Sequence, residues 1–150
     1  MIAVIQRVKK AAVSVDGEVV GKCGHGLCVL LGVAEGDTAA DAEALSRKIL
    51  NLRIFEDDNG KMNRSLLDVQ GQMLVISNFT LLASYKKGNR PDYMGAAKPE
   101  AANELYLYFA QHCADAVPVG RGIFGADMCV DIQNDGPVTI VMDSKVLLGK

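Results

Sequence analysis

Tryptophan is absent from this 150-residue chain, histidine occurs twice, and proline and cysteine occur four times each. Four cysteines do not make a disulfide-built scaffold, and a chain of this length buries about 70% of the surface its unfolded form exposes, so a core forms without staples. Long apolar runs are missing: stretches such as 27–31 and 73–76 fall far short of the ~20 residues a bilayer span needs. No basic head followed by an apolar stretch and cleavage site opens the sequence. The expectation is a cytoplasmic protein with reduced cysteines and no membrane contact. Positive charge is not in excess either, since 16 Lys and Arg face 18 Asp and Glu. That balance argues against tracking a long nucleic-acid duplex. The average conceals a basic centre: residues 61–98 carry six cations, among them Lys86, Lys87 and Arg90, against two acids.

What is present is 49% apolar residues in one continuous pattern, without repeats, linkers or low-complexity tracts, which indicates a single domain over residues 1–150. Residues 2–8 alternate and predict a strand. Asp16-Gly17 between β-prone residues predicts a hairpin over 11–22. Residues 27–33 are continuously apolar, the mark of a strand buried on both faces. Thr38 with Asp41 reads as a capping pair, and Ala42, Leu45, Ile49 and Leu52 follow at helical spacing, predicting an amphipathic helix over 38–52. A strand over 72–77 leads into 78–82, then a polar loop from 83 to 98. Pro99 with Ala102, Leu105, Phe109 and Cys113 predicts a second amphipathic helix over 99–115. Residues 128–132 and 138–142 read as a closing hairpin around Asn134-Asp135-Gly136-Pro137. The fold class expected is α+β, a largely antiparallel β-sheet or barrel with two amphipathic helices.

Familiar catalytic equipment is scarce. There is no nucleophile elbow, and neither His25 nor His112 has a visible partner for acid–base work. Cys23, His25 and Cys28 match no standard zinc spacing, so packing is the preferred role and no metal is expected. Gly24-His25-Gly26 lacks the third glycine and the following helix of a dinucleotide site, and Asp57-Asp58-Asn59-Gly60 reads as a turn. No cofactor is expected.

Two segments stand apart. In Ser77-Asn78-Phe79-Thr80-Leu81 a buried strand abruptly presents two hydroxyls and a carboxamide just before the basic loop. The other is Asn134 to Thr139, containing Gly136-Pro137. Taken on local physics alone, the first is a strand end satisfying its own backbone and the second a turn. Together, and with Ile5-Gln6-Arg7-Val8, Leu30-Leu31-Gly32-Val33, Arg53-Ile54-Phe55, Gly60-Lys61-Met62-Asn63, Arg90-Pro91 and Ala126-Asp127-Met128, the chain resembles the D-aminoacyl-tRNA deacylases along nearly its whole length.

The resemblance implies a homodimeric esterase that cleaves a D-amino acid, or glycine, from the acceptor end of tRNA and rejects L-amino acids. Ser77, Asn78, Phe79, Thr80 and Leu81 would line the pocket, with backbone N–H groups near Phe79 and Thr80 as oxyanion donors and the substrate's ribose 2′-OH assisting. Thr80 as a nucleophile ranks second. Gly136 and Pro137, as a cis pair, would enter the partner subunit's pocket and exclude an L side chain. Arg7 would brace that turn, Met128 would line the pocket, and Lys86, Lys87 and Arg90 would meet tRNA phosphates. One departure is Asn78, where the family usually has Gln. Another is the tail, 144–150, which extends past the usual end. The rival expectation is a non-catalytic dimeric module that binds an RNA end without turnover.

Overall fold

The 14-residue strand β1 (Ile2–Val15) is the axis of the molecule, whose residues 1–150 are all described by a computed structural model. The hairpin expected at Asp16-Gly17 leads to β2 (Glu18–Cys23), which pairs with residues 11–15 of β1; β3 (Gly26–Gly32) pairs with residues 2–8 on the same edge. After β3 the chain enters α1 (Ala39–Asn51), a short β-ladder of β4 (Phe55–Glu56) with β5 (Met62–Arg64), and then β6 (Gln72–Ser77). A 3-10 turn (Phe79–Leu82) and the long loop precede α2 (Pro99–Ala114) and β7 (Val119–Arg121). The last elements are β8 (Cys129–Asp143) and α3 (Ser144–Leu148).

The sheet is mixed. β1 makes antiparallel ladders with β2, β3 and β8, whereas β6 runs parallel to both β3 and β7. The sheet nearly closes on itself where β2 meets β7: a Cβ on Gly120 would lie 2.5 Å from the Lys22 carbonyl oxygen, so only bare backbone fits there.

Alternation along the central strands produces two cores. Leu27, Val29 and Leu31 of β3 and Met73 and Val75 of β6 face Ala42, Leu45 and Ile49 of α1 and Tyr106 and Phe109 of α2. Cys28 with Leu74 and Ile76 faces the opposite way, toward Val8, Ala11 and Val13. Burial on both faces is what the uninterrupted apolar run of β3 foretells. Helix α1 begins as expected, with the Thr38 N–H donating to Asp41 Oδ2 at 2.9 Å.

One sequence-based expectation fails. Residues 128–132 and 138–142 do not form a hairpin; from 129 onward both segments belong to β8 and pair with β1 along the same edge. The ladder jumps from Gln6 opposite Thr139 to Val8 opposite Asn134, so Asn134-Asp135-Gly136-Pro137 bulges out of a continuous strand. A partner strand long enough to satisfy both halves removes any need for them to pair with each other.

The tail is also structured. Asp143 Oδ1 accepts from the Lys145 N–H at 2.9 Å, starting α3, and the Ser144 hydroxyl donates to Asp41 Oδ1 at 2.6 Å. The Met1 ammonium donates to Ser144 Oγ at 2.9 Å and pairs with Asp37 at 2.7 Å. A third helix thus joins the two expected.

Candidate active site

β6 delivers Ser77 to the end of the sheet, where the Asn78 N–H donates to the Leu31 carbonyl at 2.8 Å and ends the parallel register. Asn78 then caps the 3-10 turn. Its side-chain oxygen accepts from the Thr80 N–H at 3.2 Å and also from the Thr80 hydroxyl. A short carboxamide reaches its own backbone two residues on, which is the geometry asparagine favours at turns. The Thr80 N–H is thereby engaged in the resting site. The Phe79 N–H, first in the turn, has no acceptor within it.

Phe79 is 55% exposed and packs edge-on against Tyr93 with ring centroids 5.1 Å apart. Leu81 and Leu82 turn back over Gly32, which has no side chain to obstruct them. Met128 packs beside Gly122 and Ile76, at the end of the strand that carries Ser77. Ser77, Asn78, Phe79, Thr80 and Met128 therefore share one end of the sheet.

The Gly136-Pro137 bond is cis, and the element lies elsewhere in the chain. Counting along the ladders, Ser77 stands level with Leu31 and Ala3, whereas Gly136 and Pro137 project beside Arg7. That separates them by about 13 Å along the strands and about 14 Å across three strand spacings. The two motifs do not meet within one chain.

Arg7 is buried under the bulge. Its Nη1 donates to the Ile54 carbonyl at 2.7 Å, its Nε donates to the Asp135 carbonyl at 3.2 Å, and the Asp135 carboxylate lies 3.5 Å away. Asn134 Nδ2 spans the bulge, donating to the carbonyls of Arg7 at 3.0 Å and Val138 at 3.1 Å. Gly136, at φ +129°, lies so close to Arg7 Nη2 that a Cβ would stand 2.9 Å from it. A cleft of about 230 Å³ opens beside this element, lined by Arg7, His25, Phe55, Glu56, Val69 and Asp135.

The histidines are occupied away from Thr80. His25 meets the Phe55 ring edge-on at 5.3 Å, and His112 packs against Tyr108 in a tilted arrangement at 5.1 Å. Cys28 and Cys113 are core residues, their thiols pushed up to about 12 by burial, with Cys23 adding to the effect at Cys28. No group of three or more His, Cys, Asp or Glu side chains has the arrangement to hold a metal ion. Asp57 organises its turn by accepting from the N–H groups of Asn59 at 2.8 Å and Lys61 at 3.1 Å.

The loop at 83–98 is a tied structure. Ser84 and Asp92 exchange backbone hydrogen bonds at 2.7 and 2.8 Å, and Glu35 N–H donates to the Gly95 carbonyl at 2.9 Å. Lys86, Lys87 and Arg90 are exposed on it. Sequence reasoning did not connect Tyr93 to the site; the turn at Ser84–Asp92 brings it back against Phe79.

Comparison with known proteins places these features in context. The family described as D-Tyr-tRNA(Tyr) deacylase matches residues 4–143. A protein of Persephonella marina (strain DSM 14350 / EX-H1) named D-aminoacyl-tRNA deacylase is 56% identical over 147 residues, covering 98% of this chain and all of the relative. A solved structure titled c-Myc DNA Unwinding Element Binding Protein superposes with a TM-score of 0.90 at 45% identity, over 95% of this chain and 98% of that one. A structure described as a probable eukaryotic D-amino acid tRNA deacylase shares the fold, with a TM-score of 0.81 at 16% identity over 94% of this chain and 97% of that one. No helix is long and apolar enough to cross a membrane.

Proposed function

Because the chain belongs to the D-Tyr-tRNA(Tyr) deacylase family, we propose that this hydrolase cleaves the ester between a D-amino acid and the terminal adenosine of tRNA. The observation that carries the assignment of the site is the capped turn at Asn78–Thr80, which offers the Phe79 N–H at the open end of the sheet without any histidine beside it. An aminoacyl ester is already activated, so orienting its carbonyl and stabilising the developing oxyanion supplies much of what hydrolysis needs. Water attacks the carbonyl carbon, the ester bond to the ribose oxygen breaks, and that oxygen leaves with a proton relayed through the neighbouring 2′-OH. No cofactor enters this scheme.

Stereochemical selection is assigned to Gly136-Pro137 of a second copy. Its carbonyls receive the substrate's ammonium, and an L side chain meets main chain where a D side chain points outward; glycine has nothing to exclude. Two observations support a homodimer. The two motifs are too far apart to cooperate within one chain, and β8 presents a 15-residue edge with no strand beyond it. Val141 on that strand is 68% exposed and continues an apolar row through Val4 and Leu30, on the face away from the helices. Long bare edges of this kind are ordinarily covered.

The test is to incubate the protein with D-tyrosyl-tRNA and L-tyrosyl-tRNA and follow the remaining ester. Acceleration confined to the D ester is expected. Equal acceleration of both sinks the stereochemical gate, and acceleration of neither leaves only an RNA-end-binding module.

A further inference from the structure

The most exposed aromatic and the most exposed methionine among the large apolar side chains, Tyr85 at 83% and Met94 at 85%, lie on the same loop as three cations. Lys86, Lys87 and Arg90 form no ion pair, so their charge is free for an external anion. The backbone around them is held at both ends. The exchange between Ser84 and Asp92 closes the lobe, Asp92 Oδ1 accepts from the Met94 N–H at 2.7 Å, and Tyr93 is braced against Phe79. A fixed loop that presents an aromatic ring among unpaired cations has the two components of a single-stranded nucleic-acid platform: stacking faces and phosphate contacts.

We propose that residues 84–94 form an arm for single-stranded RNA, on which Tyr85 stacks an unpaired base upstream of the esterified adenosine. Tyr85 is five positions on from Thr80, so their Cα atoms lie within about 18 Å of each other. A stacked strand advances about 3.4 Å per nucleotide, so a few unpaired nucleotides cover that distance. The backbone phosphates between those nucleotides pass Lys86, Lys87 and Arg90. Stacking tolerates any base, so the contact does not depend on which base lies upstream of the terminal adenosine. The identity of the RNA rests on the deacylase reading; the platform itself does not.

Because the chain has no tryptophan, Tyr85→Trp places a single indole at the proposed contact. Its emission is expected to be quenched by a single-stranded oligonucleotide ending in CCA and carrying no amino acid, and not by the same sugar-phosphate chain with abasic positions upstream of the terminal adenosine. Quenching by both overturns the base contact. A blue-shifted, enhanced emission on phosphatidylserine vesicles with no response to RNA assigns the arm to a lipid surface and overturns the proposal. In kinetics, Tyr85→Ala is expected to lower the ratio of kcat/KM for D-tyrosyl-tRNA over that for D-tyrosyl-adenosine about tenfold, with Tyr85→Phe restoring it. An unchanged ratio in an enzyme that hydrolyses both esters overturns the arm. Absence of hydrolysis with quenching intact overturns the deacylase reading instead.

Discussion

The carboxamide oxygen of Asn78 accepts hydrogen bonds from both the backbone N–H and the hydroxyl of Thr80, the first at 3.2 Å. The hydroxyl proton is thus directed at an amide, which is no general base, and both histidine rings are packed elsewhere. Thr80→Ala is expected to lose less than about tenfold in kcat/KM for D-tyrosyl-tRNA, where deleting a true nucleophile costs on the order of 10⁶ in kcat. Complete loss in a folded variant, or an acyl group trapped on Thr80 in the parent protein, reverses this.

Arg7 stabilises the bulge by satisfying carbonyls that lie far apart in sequence, those of Ile54 and Asp135. Removing a buried donor leaves its acceptors desolvated without partners, at about 1–3 kcal/mol for each. Arg7→Leu is expected to lower Tm by roughly 5–10 °C in a chain of this size. Arg7→Lys, with no planar fork to reach both carbonyls, falls between. A Tm equal to the parent's for Arg7→Leu shows that the guanidinium does not hold the bulge.

Local signals and long-range structure were not equally readable. The cap at Thr38–Asp41, the limits of β6 and the start of α2 at Pro99 are written in neighbouring residues, and they agree with the structure to within a residue or so. β8 was misread because a turn-forming tetrapeptide looks the same whether the flanking segments pair with each other or with a third strand; Gln6 meets Thr139 across 133 positions. The apolar run of β3 marks burial on both faces, but nothing local names β6 as its parallel partner. α3 spans only five residues, and its anchor, the Ser144–Asp41 hydrogen bond, is another distant contact. At the candidate site, Ser77 to Thr80 was visible because polar groups interrupt a buried strand. The partnership of Phe79 with Tyr93 depends on how the intervening loop closes.

Asp41 links the start of α1 to the C-terminal helix and gives a pH test. Burial alone would raise its carboxyl, but hydrogen bonds from the Ser144 hydroxyl and from the Thr38 backbone and hydroxyl, with Lys150 nearby, outweigh burial and hold it below the ordinary value. A carboxyl depressed by folding stabilises at pH above its unfolded value of about 3.9, and that contribution disappears as pH falls through the folded value. Asp41→Asn is therefore expected to lower Tm at neutral pH, with the gap from the parent narrowing below pH ~4. A gap that stays constant between neutral pH and strong acid contradicts this account.

The four thiols divide by burial. Cys23, Cys28 and Cys113 are enclosed, and burial raises all three thiols, whereas Cys129 is exposed at the start of β8. Reaction requires both access and thiolate. An aromatic disulfide reagent at mildly alkaline pH is expected to label no thiol other than Cys129 rapidly in the native protein, and four in denaturant. Rapid labelling of two or more in the native state requires an opening of one of the two cores, the first for Cys113 or the second for Cys23 and Cys28, that this packing does not allow.

The basic loop makes a quantitative prediction about salt. Each phosphate neutralised on a single strand contributes about −0.7 to the slope of log K against log salt, so contacts from Lys86, Lys87 and Arg90 together contribute about −2. Replacing the three with alanine is expected to flatten the slope for uncharged tRNA by about that amount, leaving Tm within a degree or two because none of them forms an ion pair. Single replacements should each flatten it by about 0.7 if all three touch phosphate. A residue whose removal leaves the slope unchanged lies outside the RNA path. A triple variant with the parent's slope places the acceptor end on another face of the protein, such as the one bearing Lys10 and Lys22, and would separate the capped turn at Thr80 from its proposed substrate.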